Sequence, residues 1–390
     1  MNLTMPKSIF ESKEWKESEA KIPIALGHSL FGQAIIADLT EQRHVAIAGS
    51  TGSGKTVCVD LIIASLLERF DADSLEMLLI DPTVDAMKLY ENLPHLAAPV
   101  LTHPIKAVDA LRAVVGEMER RHQIFAHEGV RNLDEFNART RDKSSTPVKV
   151  VERPESKPDK ALEIPLKMAR LVIIVSELAD LMHMKRNDTE TAIARITQMS
   201  SAAGIHFIVS TQRPSGKILT GLIKANIPAR IAFQVAAWRD SKVILGVSGA
   251  EKLKGKGDML YLARDAAVPF SAQGAMVPDE ELLSRVAAAE KKGRPKYEAR
   301  IFATSEEMKF VKEKEVELIE QAITLTLKAR KASASLLQRR LKLSFTRASR
   351  LMDQMELKGI IGPKNGPAPR EILVDPDAPP SCLVRFPQEN

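Results

Sequence analysis

Residues 49–56 read GSTGSGKT, an arrangement of glycines, lysine and a terminal hydroxyl whose chemistry is phosphate binding. Gly49, Gly52 and Gly54 permit unusual backbone angles and close approach, so successive N–H groups converge on phosphate oxygens at a helix N-terminus. Lys55 reaches the β- and γ-phosphates, and Thr56 offers its hydroxyl to magnesium; Ser50, Thr51 and Ser53 complete the cradle. The ligand expected is ATP with Mg2+.

Turnover of a bound triphosphate needs more: a carboxylate at a neighbouring strand tip to orient water, and a group attending the metal. Glu177 follows the apolar run LVIIV (171–175) after a single serine, Ser176, and stands where a general base would sit. Asp81 closes the run EMLLI (76–80), and Gln212 follows HFIVS (206–210). Both emerge at the carboxyl edge of a parallel sheet, within reach of magnesium, water or the γ-phosphate.

The scaffold that must position these residues is written in the same runs. HVAIA (44–48), EMLLI, LVIIV, HFIVS, RIAFQV (230–235) and DMLYLA (258–263) alternate with VCVDLIIASLLERF (57–70), AVDALRAVVGEMERRHQIFAH (107–127) and TETAIARITQMSSAAG (189–204), which carry a helical period. Continuous apolar strands are those covered by helices on both faces. The fold class expected is therefore α/β with a largely parallel central sheet. Residues 140–168, rich in Pro, Lys and Ser, read as a surface excursion.

Composition narrows the function classes. At 390 residues, 44% hydrophobic and 27% charged, the chain has the profile of a soluble globular protein of two domains. Its apolar stretches fall far short of the roughly 20 residues that cross a bilayer. The charged N-terminus lacks a secretory signal, so the expected location is the cytoplasm. Two cysteines, Cys58 and Cys382, and scattered histidines argue against a disulfide framework or a Cys/His metal site. The net charge of +6 is unevenly spread: residues 328–370 hold eleven basic side chains against two acidic ones. Such a module calls for a polyanion, nucleic acid first.

Taken in order, HVAIAGSTGSGKT (44–56), LIDP (79–82), GEMERR with GVRNLDEFN (116–137), AGIHFIVSTQRPS (203–215), TGLIKANIPARIAF (220–233) and GKGDMLYLA (255–263) resemble the motor of the FtsK/SpoIIIE family of bacterial double-stranded DNA translocases. The resemblance runs from about Ile22 to Val374. It implies a RecA-like P-loop ATPase domain over 37–286, an N-terminal segment 1–36 left from a preceding domain, a linker over 287–315 and a winged helix over 316–390. It also implies a homo-hexameric ring that threads double-stranded DNA using ATP. In such a ring Lys55, Glu177 and Gln212 act on the nucleotide and a neighbour's arginine completes the site, with Arg230 of NIPARIAF ahead of Arg213.

Within SFTRASRLMDQMELKG, Ala348, Leu351, Met352, Met355 and Leu357 would pack inward and leave Thr346, Arg347 and Arg350 for base edges, with Lys364 on phosphate. The implied role is chromosome segregation or DNA transfer, with recombinase or division-site proteins as partners. Many family members carry a membrane-spanning region and long linker; this sequence has neither, and reads as a soluble member or a motor fragment. Attachment to the inner face of the membrane would then run through partners or a further N-terminal region.

Three positions depart from the family pattern. Ser176 stands where a magnesium-associated Asp is usual, Thr83 follows Asp81-Pro82 where Lys is usual, and Thr346 replaces an expected Asn. A serine hydroxyl can hold a metal-bound water but brings no charge. A second reading is therefore a nucleotide-binding, DNA-bound assembly factor with little hydrolysis. A third, the related secretion ATPases, is disfavoured by the basic C-terminal module.

Overall fold

The computed structural model describes residues 8–139, 148–150, 162–298, 301, 318–341, 345–357, 359–363 and 370–374. The chain divides into two compact units, Met1–Phe302 and Ala303–Asn390. In the first, the strands in chain order are β1 (Pro23–Ser29), β2 (Ala34–Asp38), β3 (His44–Ala48), β4 (Leu75–Ile80), β5 (Val148–Val150), β6 (Leu162–Ile164), β7 (Arg170–Val175), β8 (Ile205–Thr211), β9 (Ala229–Phe233), β10 (Asp258–Leu262) and β11 (Phe270–Gly274). Its helices are α1 (Lys13–Lys16), α2 (Leu39–Gln42), α3 (Lys55–Arg69), α4 (Pro104–Glu128), α5 (Leu133–Ala138), α6 (Leu178–Met199), α7 (Gly221–Asn226), α8 (Trp238–Leu245) and α9 (Asp279–Glu290).

One sheet runs in the order β2-β1-β11-β10-β9-β3-β8-β7-β4. The block β9-β3-β8-β7-β4 is parallel throughout, and the other four strands extend it antiparallel. Side chains alternate between two cores: Ala46, Leu78, Ile173 and Val209 face one, with α4 and α6, while Val45, Ile47, Leu79, Ile174 and Ile208 face the other, with α3 and α9. Both faces being dry explains why these strands read as unbroken apolar runs. The outer edge of β4 is closed by residues 95–101, which bond to it at Met77, Leu79 and Asp81, leaving no bare ladder there.

Three parts of the fold depart from what the sequence leads one to expect. β1 and β2, in the segment set aside as N-terminal, belong to the main sheet beside β11. Helix α6 starts directly after Glu177, well ahead of the periodic stretch at 189, and breaks at Lys185 (φ −144°, ψ 65°); the polar run Lys185–Asp188 hides it. The surface excursion contains an antiparallel pair, β5 with β6, that its composition did not announce.

At the N-terminal ends of β3 and β8, remote from the P-loop, His44 and His206 lie buried with ring centroids 6.5 Å apart. His44 Nδ1 accepts the Phe207 amide, while its Nε2 meets no partner among the described residues. Burial pulls His44 down to about 3 and His206 down to about 4, from the ordinary 6.5. A depressed folded-state pKa contributes stability above 6.5 that is lost as the pH falls towards the folded value, because the unfolded chain takes the proton first. Chemical denaturation should show about 2 kcal/mol lost per histidine between pH 7 and 5, and His206→Gln should flatten part of that slope.

The second unit holds a helix over residues 318–328 (α10), then α11 (Ala334–Leu341) and α12 (Phe345–Leu357). Bridges Ala332–Arg370 and Ile361–Ile372 make its small β element. Ile323, Leu327, Leu337, Ala348, Leu351, Met352 and Met355 form its own core. This is a winged-helix arrangement. Thr346, Arg347, Arg350 and Leu357 lie on α12, but their side chains are outside the described residues, as is Lys364 altogether.

Candidate functional site

The P-loop leaves β3 at Ala48 and is pinned between the strands on either side. The Gly49 amide donates to the Thr211 carbonyl at the end of β8 (3.3 Å), and the Ser50 amide to Gln234, just past β9 (2.8 Å). Gly52 (φ 75°) and Gly54 (φ 125°) take the left-handed region the loop needs. Gly54 then caps α3, whose first residues are Lys55 and Thr56. A Cβ on Gly54 would lie 3.0 Å from Gly257 Cα, and the Gly257 amide donates to Ser53 (2.9 Å). Gly257, from the GKGD stretch, therefore supports the loop from below; its glycine spacing was the only sequence signal for that role.

Inside the loop the Lys55 ammonium donates to the Ser50 carbonyl (2.7 Å). Burial pulls this lysine down to about 8, against an opposing pull from Glu177. The Ser53 hydroxyl is buried with no partner among the described residues, while Thr56 is exposed. A buried donor awaiting an acceptor, a lysine resting on a backbone oxygen and an open Gly52 flank suit a bound triphosphate.

A line of hydrogen bonds joins this loop to the neighbouring strand tips. Thr51 Oγ1 donates to Gln212 Oε1 (2.7 Å), and the Gln212 amide donates to Glu177 Oε2 (2.8 Å). Glu177 Oε1 accepts from Thr211 Oγ1 (2.6 Å) and, capping α6, from the Ala179 amide (3.0 Å). Thus Lys55, Gln212 and Glu177 are brought to one edge, as the strand order requires.

Asp81 sits one strand further out and is wholly buried. Its Oδ1 accepts from the Ser176 hydroxyl (2.5 Å), the Thr83 hydroxyl (2.6 Å) and the Thr83 amide (3.2 Å); Oδ2 accepts from the Ala86 and Met87 amides (2.9 and 3.0 Å). Every lone pair is engaged within the chain. Asp180, which the sequence reading passed over, faces the same edge: burial pushes its carboxyl up, Arg213 and His183 pull it back, and Asp81 adds to the rise.

Arg230 is placed differently from expectation. Its guanidinium donates to the carbonyls of Lys224 (2.6 Å), Ile227 (3.2 Å) and Ile244 (3.3 Å), binding the ends of α7 and α8 to β9. These bonds occupy all three nitrogens. Arg213, at the open edge beyond β8, is exposed.

Residues 7–216 match the model of the FtsK/SpoIIIE family. The chain belongs to that family. Residues 313–375 match the Ftsk gamma domain. The chain is 42% identical to the DNA translocase FtsK of Sporosarcina ureae over 368 residues, 94% of this chain and 45% of that protein. It is likewise 42% identical to the DNA translocase SpoIIIE of Bacillus subtilis, over the same shares. It thus spans about half the length of the FtsK/SpoIIIE relatives it matches. Among solved structures, the pCW3 conjugation coupling protein TcpA, in a monomer form with ATPgS, superposes with a TM-score of 0.56 at 23% identity, covering 70% of this chain and 71% of that one. The cytoplasmic domain of the Thermomonospora curvata type VII secretion ATPase EccC gives 0.57 at 21%, covering 73% and 32%. These likenesses establish the RecA-like P-loop fold.

Proposed function

We propose that the chain is the motor and DNA-reading part of an ATP-driven translocase of double-stranded DNA, working as a homo-hexameric ring. The observation that carries this is the hydrogen-bonded line from Thr51 through Gln212 to Glu177, which ties the phosphate cradle to a carboxylate at a neighbouring strand tip. That is the pair of functions a hydrolytic motor needs: hold the triphosphate, and orient the attacking water.

ATP would lie in residues 49–56, with the loop amides and Lys55 on its phosphates. The Thr56 hydroxyl would hold magnesium beside the cradle, and the ion would supply neutralisation of the charge that develops on the phosphates. The fit is by oxygen donors: the Thr56 hydroxyl is exposed beside the cradle, and no group of three or more His, Cys, Asp or Glu among the described residues forms a metal cage of its own. A cation carried in by the phosphates suits that donor set. Glu177 would accept the proton of the attacking water once its bond to the Gln212 amide loosens. Gln212, in contact with both Thr51 and Glu177, would report the state of the γ-phosphate between them.

In a ring, a neighbour's arginine stabilises charge on the transferring phosphoryl group. Arg213, exposed at the open edge, suits this role better than Arg230, which is committed to three carbonyls. Residues 37–286 would form the motor, with β1 and β2 completing its sheet; 287–315 would link it to the winged helix at 316–390. There Thr346, Arg347, Arg350 and Lys364 would meet DNA. No helix among the described residues is long and apolar enough to cross a membrane, and we place the work in the cytoplasm, in chromosome segregation or DNA transfer, with recombinase or division-site partners.

The experiment is steady-state ATP hydrolysis with and without duplex DNA. Stimulation of about tenfold or more is expected, declining as salt rises and DNA is released. A rate indifferent to DNA at low salt would remove DNA as the substrate.

A further inference from the structure

The two strand-tip departures, Ser176 and Thr83, meet on one atom. Asp81 Oδ1 accepts the Ser176 hydroxyl at 2.5 Å and the Thr83 hydroxyl at 2.6 Å. The strands beneath them are neighbours, with Ile80 opposite Val175 in the β4–β7 ladder, and the Ser176 amide donates to the Ile80 carbonyl (2.9 Å). The loop from Thr83 to Met87 folds back over the same carboxylate through three amides. It holds Val84 at φ 75°, a conformation a β-branched residue keeps only when its surroundings enforce it. Asp81 is thus a buried charge satisfied wholly by neutral donors, two of which are side chains.

We infer that Asp81, Ser176 and Thr83 form a charge-balanced positioning unit that fixes the tip of β7, and with it Glu177, so that position 176 accepts a carboxylate only when position 83 supplies a cation. Ser176 is then a donor to Asp81 and a positioning residue for Glu177; it does not mark an empty place for a metal acid. A carboxylate at 176 would face the buried Asp81 across hydrogen-bond distance, where like charges repel and one buried acceptor loses its donor. A lysine at 83 would stand beside the same oxygen and restore one net negative charge to the trio. The inference rests on the ATPase reading for its link to Glu177, but the charge balance can be measured without turnover.

The test is a four-variant cycle on the full chain: parent, S176D, T83K and S176D/T83K, each read by thermal melting, ATP affinity and turnover. S176D is expected to melt roughly 5 °C lower and to lose at least about tenfold in turnover, and the double variant to regain most of both. S176A should lower kcat several-fold with ATP affinity unchanged, and S176T, which keeps the hydroxyl, should restore it. Recovery of folding by the double variant where S176D alone does not fold is the same coupling in stronger form. S176D as stable and as active as the parent, additive effects of S176D and T83K, or failure of both S176D and the double variant to fold would each overturn the inference. A parent no faster than K55A would defeat the ATPase reading instead, and the melting cycle would still decide the charge balance.

Discussion

Lys55→Ala is expected to reduce ATP turnover by at least about a hundredfold, the scale on which one preorganised charge stabilises a transferring phosphoryl group. The fold should not suffer. Among the described residues Lys55 Nζ donates to the Ser50 carbonyl alone, and burial already holds the ammonium down to about 8, so removing it relieves a desolvated charge. Its melting temperature should stay within a degree or two of the parent, or rise. Steady-state hydrolysis beside a thermal melt reads both. Unchanged turnover would mean that the lysine does not reach phosphate, and the P-loop assignment would fail with it.

Glu177→Gln should have an effect of comparable size by a different route. Loss of a positioned base costs about 10²–10⁴ in turnover, while nucleotide affinity should hold because Glu177 lies outside the cradle. Here the fold does pay a penalty. The carboxylate accepts from Ala179, Thr211 and Gln212, and a glutamine keeps one oxygen for three donors. At least one buried donor is stranded, at about 1–3 kcal/mol. Melting lower by a few degrees with ATP affinity retained and turnover nearly gone is the expected combination. Retained turnover would move the base to another residue, such as Asp180 at the start of α6.

What the sequence disclosed followed the range of the interactions involved. The P-loop is a local motif: glycine conformations, lysine and threonine sit within eight consecutive positions, and the loop lies where spacing places it, between β3 and α3. The parallel strands were readable because burial on both faces removes polar alternation; β3 keeps the bounds read for it, and β4, β7 and β8 differ by a residue or so at their ends. β1, β2 and β11 were not read. They lie at the antiparallel side of the sheet; Phe270, Ser271 and Gln273 of β11 are exposed, so no continuous apolar run marks that strand, while β1 and β2 do carry short apolar runs, 24–26 and 34–37, that were passed over.

The strand-tip chemistry was legible only in part. Glu177 and Gln212 could be placed at the carboxyl edge because each follows a recognisable strand, but their bond to one another depends on β7 and β8 being neighbours. The Asp81 arrangement depends on β4 lying beside β7, and on a loop whose five following residues turn back on the carboxylate. Nothing in the spacing of 81, 83 and 176 conveys that. Arg230 shows the converse: an arginine in a family motif reads as functional, while its position beside the C-terminal ends of α7 and α8 gives it three carbonyls to satisfy. Whether such a residue is free can be seen only once the helices that surround it are in place.

If ATP hydrolysis at this P-loop moves the protein along duplex DNA, as proposed, displacement of a third strand from a DNA triplex measures that movement directly. The prediction is ATP-dependent displacement by the intact chain, absent with a non-hydrolysable analogue and absent in both Lys55→Ala and Glu177→Gln. ATP hydrolysis stimulated by duplex DNA, with the third strand left in place, would contradict it.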